Sequence, residues 1–202
     1  MKNVRKVLLA VAGLVALNVS SASAQVAWDS PFLAPPRPAP GLGIFLMDVA
    51  GGDIGAMFTW QPTARSWGFR LGIAEQFDDD IAVYGGADVS GAITRSRADF
   101  PLDIDWVLGL GGSIGNDFVL SVPAGITIGH TFDTEGARFT PYLTPRVVLD
   151  AFFGDDRPGD DDDVNLDLAV DLGLDLQFQP NWRIRFGGTL GDREAVAIGL
   201  VF

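Results

Sequence analysis

Apolar and polar positions alternate along much of the chain, and the alternation is strictest between residues 164 and 179. Every even position from Val164 to Phe178 is apolar, whereas the odd positions hold Asn, Asp, Ala, Gly and Gln. Successive side chains of a β-strand point to opposite faces, so one face of this segment is apolar and the other is polar or small. A helix would scatter the aspartates around its whole circumference. The pattern therefore predicts one long β-strand.

The same period of two recurs as far as the last residue, in segments separated by turn-forming residues such as the Pro180-Asn181 pair. The first two segments are the least regular, because Phe45, Met47 and Val49 interrupt the alternation, so eight strands is the alternative to ten. The ten predicted strands are 42–49, 54–62, 66–77, 81–95, 102–115, 118–133, 139–154, 164–179, 182–190 and 194–202.

The region before these strands has two parts. Three basic residues in the first six positions, an apolar run over 7–17 and small residues at 22–24 match the three parts of a secretory signal peptide, which predicts cleavage after residues 1–24. Residues 25–40 contain five prolines, which fix φ and lack an N–H, so this segment is predicted to be an extended periplasmic tether. The remaining domain is 41–202.

Two architectures use alternating strands: a soluble barrel with its apolar face inward, and a membrane barrel with its apolar face toward lipid. Many of the predicted strands reach the ~9–11 residues that a tilted strand needs to cross hydrocarbon, and aromatic residues cluster near strand ends. The alternating polar face contains no lysine. The sequence therefore predicts a transmembrane antiparallel up-and-down β-barrel, with a secreted soluble barrel that binds an apolar ligand as the weaker alternative.

The last strand carries a further signal, because Val196, Ile198, Leu200 and the terminal Phe202 are apolar at steps of two. A terminal phenylalanine that closes such a strand is similar to the assembly signal of bacterial outer-membrane barrels. Together with the signal peptide, residues 42–202 resemble the small outer-membrane barrel proteins of the OmpA/OmpX type. The resemblance implies a place in the outer membrane, contact with its lipid, and recognition of those four residues by the barrel assembly machinery.

Composition excludes several functions. The chain of 202 residues has a formal net charge of −12, and nucleic-acid binding needs a positive footprint, so no nucleic-acid partner is expected. The absence of cysteine excludes disulfides and thiolate chemistry. Asp103 and Asp105 would suit water activation, but the single histidine, His130, is predicted to face lipid far from a suitable partner. No enzymatic activity, cofactor or defined metal site is therefore expected.

The polar face would line the lumen. Asp175 is predicted to lie opposite Arg185, or opposite Arg183 in the next allowed register, so it faces an arginine in either case. A barrel of eight to ten strands is nearly filled by its side chains, and buried charges must be paired, so a salt-bridge network that plugs the lumen is favoured over a water-filled path. The predicted network is Arg70, Asp103, Asp105, Arg146, Asp150, Asp167, Asp171, Asp175, Arg183 and Arg185.

These observations favour an outer-membrane barrel with a structural or interaction role and a largely plugged lumen, and a narrow porin-like diffusion channel is the alternative. The acidic run 155–163 is a candidate contact for Ca²⁺ or Mg²⁺, since carboxylate oxygens bind both cations. A solvated, self-repelling loop is the simpler interpretation of that run.

Overall fold

The computed structural model describes residues 27–49, 53–62, 67–76, 80–115, 118–153 and 164–202. The predicted signal peptide and the acidic run 155–163 lie outside these residues. Within the described part of the chain, no helix is long and apolar enough to cross a membrane. The strands are β1 (Gly41–Val49), β2 (Asp53–Gln61), β3 (Trp67–Gln76), β4 (Asp80–Thr94), β5 (Asp103–Ile114), β6 (Phe118–Gly129), β7 (Phe132–Thr134), β8 (Ala137–Phe153), β9 (Val164–Gln179), β10 (Trp182–Gly191) and β11 (Ala195–Val201).

Ten of these strands form a closed antiparallel barrel. Each strand pairs with its neighbour in the chain, β6 pairs with β8, and β1 pairs with β11 to close the wall. The short β7 continues β6 after a break and pairs only with β8. The break occurs where β6 meets Pro141, which has no N–H to donate to the ladder. The prediction of ten strands is confirmed, and the alternative of eight is wrong.

The wall is apolar outside and largely polar inside. On β9 the even residues face outward and most of them are exposed, with Leu174 and Leu176 half-buried, whereas Ala169, Asp171 and Asp175 are buried inside. A folded chain exposes such a continuous apolar band when its surroundings are hydrocarbon, so this is the side-chain distribution of a transmembrane barrel. The irregular β1 follows the same rule, because Ile44 and Leu46 face outward while Phe45 and Met47 point inward and are buried.

The barrel has two different ends, which we call the base and the top. At the base, β1 and the C-terminus meet, with the Leu42 N–H donating to the Phe202 carbonyl at 2.7 Å. The turns at 180–181 and 135–136 also lie at the base. At the top lies the turn at 192–194. Aromatic pairs concentrate at the base, where Trp60 stacks on Phe69 with ring centroids 5.7 Å apart, as expected for one membrane interface.

The structure corrects the predicted tether. Residues 27–40, which we call the plug, lie inside the barrel and contact strands on opposite sides of the lumen. Trp28, Asp29 and Phe32 are fully buried. The prolines do keep the segment out of any strand, as expected from their missing N–H groups. The prolines do not determine whether the segment lies outside the barrel or within it, because that depends on which side chains of the wall can bind it.

Candidate functional site

The deepest part of the lumen is organised around Asp29 of the plug, which has no exposed surface. Arg146 on β8 pairs with the Asp29 carboxylate through Nη1 and donates from Nη2 to the Asp29 carbonyl at 3.1 Å. Arg193, in the turn after β10, donates from Nη1 to the same carboxylate at 2.7 Å. Two guanidinium groups from separate parts of the wall therefore converge on one side chain of the plug.

Both of these arginines also have partners in the wall. Arg146 Nε donates to Asp171 at 2.6 Å, and Arg193 pairs with Asp150 and, at 3.2 Å, with Asp167. Burial works against the charge of Arg193, but the carboxylates of Asp29 and Asp150 outweigh burial and raise its pKa. Buried charges are tolerated when they are paired and hydrogen-bonded, and this arrangement meets that condition for both guanidinium groups.

A second contact joins aromatic residues of the plug to Arg70 on β3. The Arg70 guanidinium lies 4.2 Å from the Phe32 ring centroid and 5.9 Å from that of Trp28. Its position is fixed by Asp88 on β4, to which it donates at 3.0 and 3.1 Å. A cation over a desolvated aromatic face contributes about 2 kcal/mol. Arg70 thus holds plug and wall together without losing its counter-ion.

The backbone of the plug is held by side chains of the wall. The Phe32 N–H donates to Asp171 at 3.0 Å, the Leu33 carbonyl accepts from Arg185 at 3.2 Å, and the Ala34 carbonyl accepts from Thr127 at 2.9 Å. Residues 27–40 contribute no strand to the wall, so these bonds take the place of a β-ladder.

Glycines of the wall form a cradle for Trp28. A Cβ on Gly109 would lie 2.7 Å from Trp28 Cη2, and one on Gly111 would lie 2.6 Å from Trp28 Cδ2. A Cβ on Gly86 would also collide with the indole. Inward glycines could leave room for water or admit a bulky group. At this level of the barrel, the room they leave is filled by Trp28.

At the base, the plug leaves the lumen through a second set of charges. Arg37 pairs with Asp103 at 2.8 Å and donates its N–H to Asp105 at 3.2 Å. Asp105 also pairs with Arg95, which follows β4. Asp103 and Asp105 therefore anchor the exit of the plug.

The residues of the predicted network lie in the lumen, but they do not form one continuous cluster. Asp175 faces Arg185 and is bound by it at 2.6 and 2.8 Å. Arg183 lies 3.9 Å from Asp175, too far for a hydrogen bond. Asp29 joins Arg146 and Asp171 to Arg193, Asp150 and Asp167 in one upper cluster. The Arg70–Asp88 pair, the Asp175–Arg185 pair and a base cluster of Asp103, Asp105, Arg37 and Arg95 share no ion pair with it.

Sequence reasoning missed five members of these clusters. Asp88 has the inward parity of β4 and could have been found from alternation. Arg95 is the last residue of the predicted strand 81–95 and has outward parity there, but the register shifts between Ala92 and Thr94 and β4 ends at Thr94. Arg193 lies in the connection after β10, where parity gives no prediction. Asp29 and Arg37 belong to the segment that was interpreted as a tether.

A cavity of about 40 Å³ lies at the base between the plug and the wall, lined in part by Thr59, Gln61 and Arg70. One water needs about 10–15 Å³ of such volume, so the cavity accommodates only a few waters. A larger groove of about 560 Å³ lies on the outer, apolar surface beside Pro145.

The residues of the predicted C-terminal assembly signal and His130 lie outside the charged clusters of the lumen. Val196, Ile198, Leu200 and Phe202 are 43–54% exposed on the apolar outer face. His130 packs edge-on against the Phe132 ring at 4.4 Å, near the base. Within the described ranges, no group of three or more acidic or histidine side chains is arranged to hold a metal ion.

The solved structures that match this chain are distant from it in sequence and in superposition. No protein-family model matches the chain, and no curated protein matches it. Among solved structures, one from a study titled "De novo design of transmembrane beta-barrels" is 14% identical, with 83% of this chain and 98% of that chain covered and a TM-score of 0.36. A structure described as "KdgM porin" is 7% identical, with 80% and 98% covered and a TM-score of 0.35.

Proposed function

We propose that the chain is an integral outer-membrane β-barrel protein with a structural or interaction role, and that its own N-terminal segment closes its lumen. The observation that carries the proposal is the plug, whose Asp29 is bound by Arg146 and Arg193 in the middle of the barrel. A permeating solute would need the space that Trp28 and Phe32 occupy. With the lumen closed, the surfaces left for function are the outer face and the two ends.

A narrow porin-like channel is the second candidate, and one observation favours it. The arginines that hold the plug also pair with carboxylates of the wall, as Arg70 does with Asp88 and Arg185 with Asp175. A wall whose charges are largely paired without the plug is compatible with a water-filled lumen whenever the plug is elsewhere.

Planar-bilayer conductance of the refolded protein separates the two candidates. We expect the intact chain to be silent while running as a folded species whose gel mobility changes on boiling. The double variant Trp28→Ala/Phe32→Ala, which empties part of the lumen, should give discrete current steps. The matched control is Trp60→Ala, on the outer face, which should stay silent. Reproducible steps from the intact chain would favour the porin-like candidate instead.

Placement in the outer membrane is the second part of the proposal, and it is supported by the apolar outward row that ends at Phe202. We expect Phe202→Ala to lower the amount of barrel assembled in the outer membrane of a Gram-negative host while refolding normally in detergent. Leu190→Ala, an outward change on β10, is the control. Equal assembly of the two variants would argue against recognition of the last strand by the assembly machinery.

A further inference from the structure

The contacts around the plug resemble those of a receptor with a bound peptide more than those of a chain with its own core. The plug shares no ladder with the wall, and its only covalent connection to the wall is at Gly41, where β1 begins. The wall closes through β1 and β11 without it. The barrel's main-chain hydrogen bonds are therefore independent of where the plug lies.

The wall also supplies every charged group that binds the inner part of the plug. Arg70, Arg146, Arg185 and Arg193 each keep a carboxylate of the wall as a partner while they contact the plug. These partners fix the direction of each guanidinium before any peptide is present. Preorganised donors of this kind raise affinity because little ordering is needed on binding.

Shape complementarity is specific to the plug's side chains. The glycine cradle of β4 and β5 fits the flat Trp28 ring, and Gly187 on β10 leaves room for Leu33, whose side chain would collide with a Cβ there. Phe32 packs against the Arg70 guanidinium. The wall thus has one place for an indole, two arginines for the carboxylate next to it, and a cation for a second aromatic ring. This arrangement fits the order Trp28, Asp29, Phe32 along the plug.

We propose that the lumen wall is a peptide-binding site for a proline-containing segment with adjacent Trp and Asp residues, and that it binds the N-terminal segment of a second copy of this chain when its own plug is disabled. The inference rests on the proposed closure of the lumen by the plug. The tethered segment competes at an effective concentration in the millimolar range, so binding in trans requires that the segment in cis be weakened.

The test uses the full-length variant Trp28→Ala/Asp29→Asn/Phe32→Ala, refolded in detergent, and a fluorescent synthetic peptide of residues 27–40. We expect saturable binding of the peptide by this variant and none by the intact chain. The matched peptide with Asp29→Asn should bind about 100-fold more weakly or worse, because it leaves the Arg146 and Arg193 clamp without its carboxylate. Equal binding of the two peptides, or no binding by the folded variant, would overturn the proposal.

The proposal can also be tested if the triple variant does not fold without peptide. In that case we expect the 27–40 peptide to raise its refolding yield, read from the gel shift on boiling, whereas the Asp29→Asn peptide should not. Failure of both peptides would contradict the proposal. Because peptide binding is measured without a current, a conducting intact chain would count against the closed lumen alone and leave the binding result interpretable.

Discussion

The wall and the plug are stabilised in different ways, although they share one lumen. Each wall strand forms main-chain hydrogen bonds with two neighbours along its length, and these bonds depend weakly on which side chains are present. The plug depends on a small number of side chains, such as Arg146, Arg185 and Thr127, that donate to its carboxylate and carbonyls. A single substitution should therefore disturb the plug more than it disturbs the wall, unless it places a charge in hydrocarbon.

The largest effect is expected at Arg146. Arg146→Gln leaves the buried carboxylates of Asp29 and Asp171 without their main partner, and breaking a buried pair in this way costs about 3–5 kcal/mol. The control is Arg138→Gln, since the Arg138–Asp133 pair at 2.6 Å is exposed and should contribute less than about 1 kcal/mol. Free energies of unfolding from urea titrations in micelles give both values. Similar losses for the two variants would mean that the plug is not held through Arg146.

The next largest effect is expected from a charge placed on the outer face of the wall. This substitution tests whether that face contacts lipid. Leu172→Arg, near the middle of β9, should cost about 2–4 kcal/mol in lipid vesicles, because a charge there must leave water for hydrocarbon. Val164→Arg lies on the same face of β9 at its top end and should cost about 0–1 kcal/mol. A cost that does not depend on depth would contradict the lipid-facing assignment.

The glycine cradle connects the two regions. Gly86→Ala should cost about 1–3 kcal/mol, because the added methyl collides with the Trp28 ring. In a double-mutant cycle with Trp28→Leu, most of this cost should disappear. Gly188→Ala is the control, since a Cβ there meets its nearest atoms at 3.3 and 3.5 Å. A cost at Gly86 that persists without Trp28 would show that the glycine serves the strand and not the plug.

The smallest effect is expected at Thr127, whose hydroxyl donates to the Ala34 carbonyl and accepts from Thr144 at 2.9 Å. Thr127→Val keeps the shape, removes both bonds and should cost about 1 kcal/mol. Thr134→Val, at the exposed turn of the β7–β8 hairpin, removes a bond to the Ala137 carbonyl and should change stability by less than about 0.5 kcal/mol. Thermal or urea unfolding measures both losses of stability. Equal losses for the two variants would mean that the plug does not contribute to the measured stability.

Alternation was enough to identify the wall because a strand has only two faces. Once Val164 and Leu166 are assigned to one side, every residue to Phe178 is assigned with them. The same logic placed Asp175 opposite an arginine, and the structure pairs it with Arg185. The contrast between apolar and polar positions is lost where the lumen side of a strand is itself apolar, as at Phe45 and Met47, which face inward and are buried in the lumen. Parity also gave no prediction for Arg193, which belongs to a turn.

The sequence by itself determined the strands, their faces and the medium outside them, because those follow from local geometry and from the contrast between water and hydrocarbon. Only the tertiary structure decided the fate of residues 27–40. Their prolines exclude them from a strand, but a segment that is not part of a β-sheet can lie either in water or against the lumen wall. The choice depends on long-range partners, Arg146 and Arg193 for Asp29 and the distant glycines for Trp28, and no local pattern records which residues will meet.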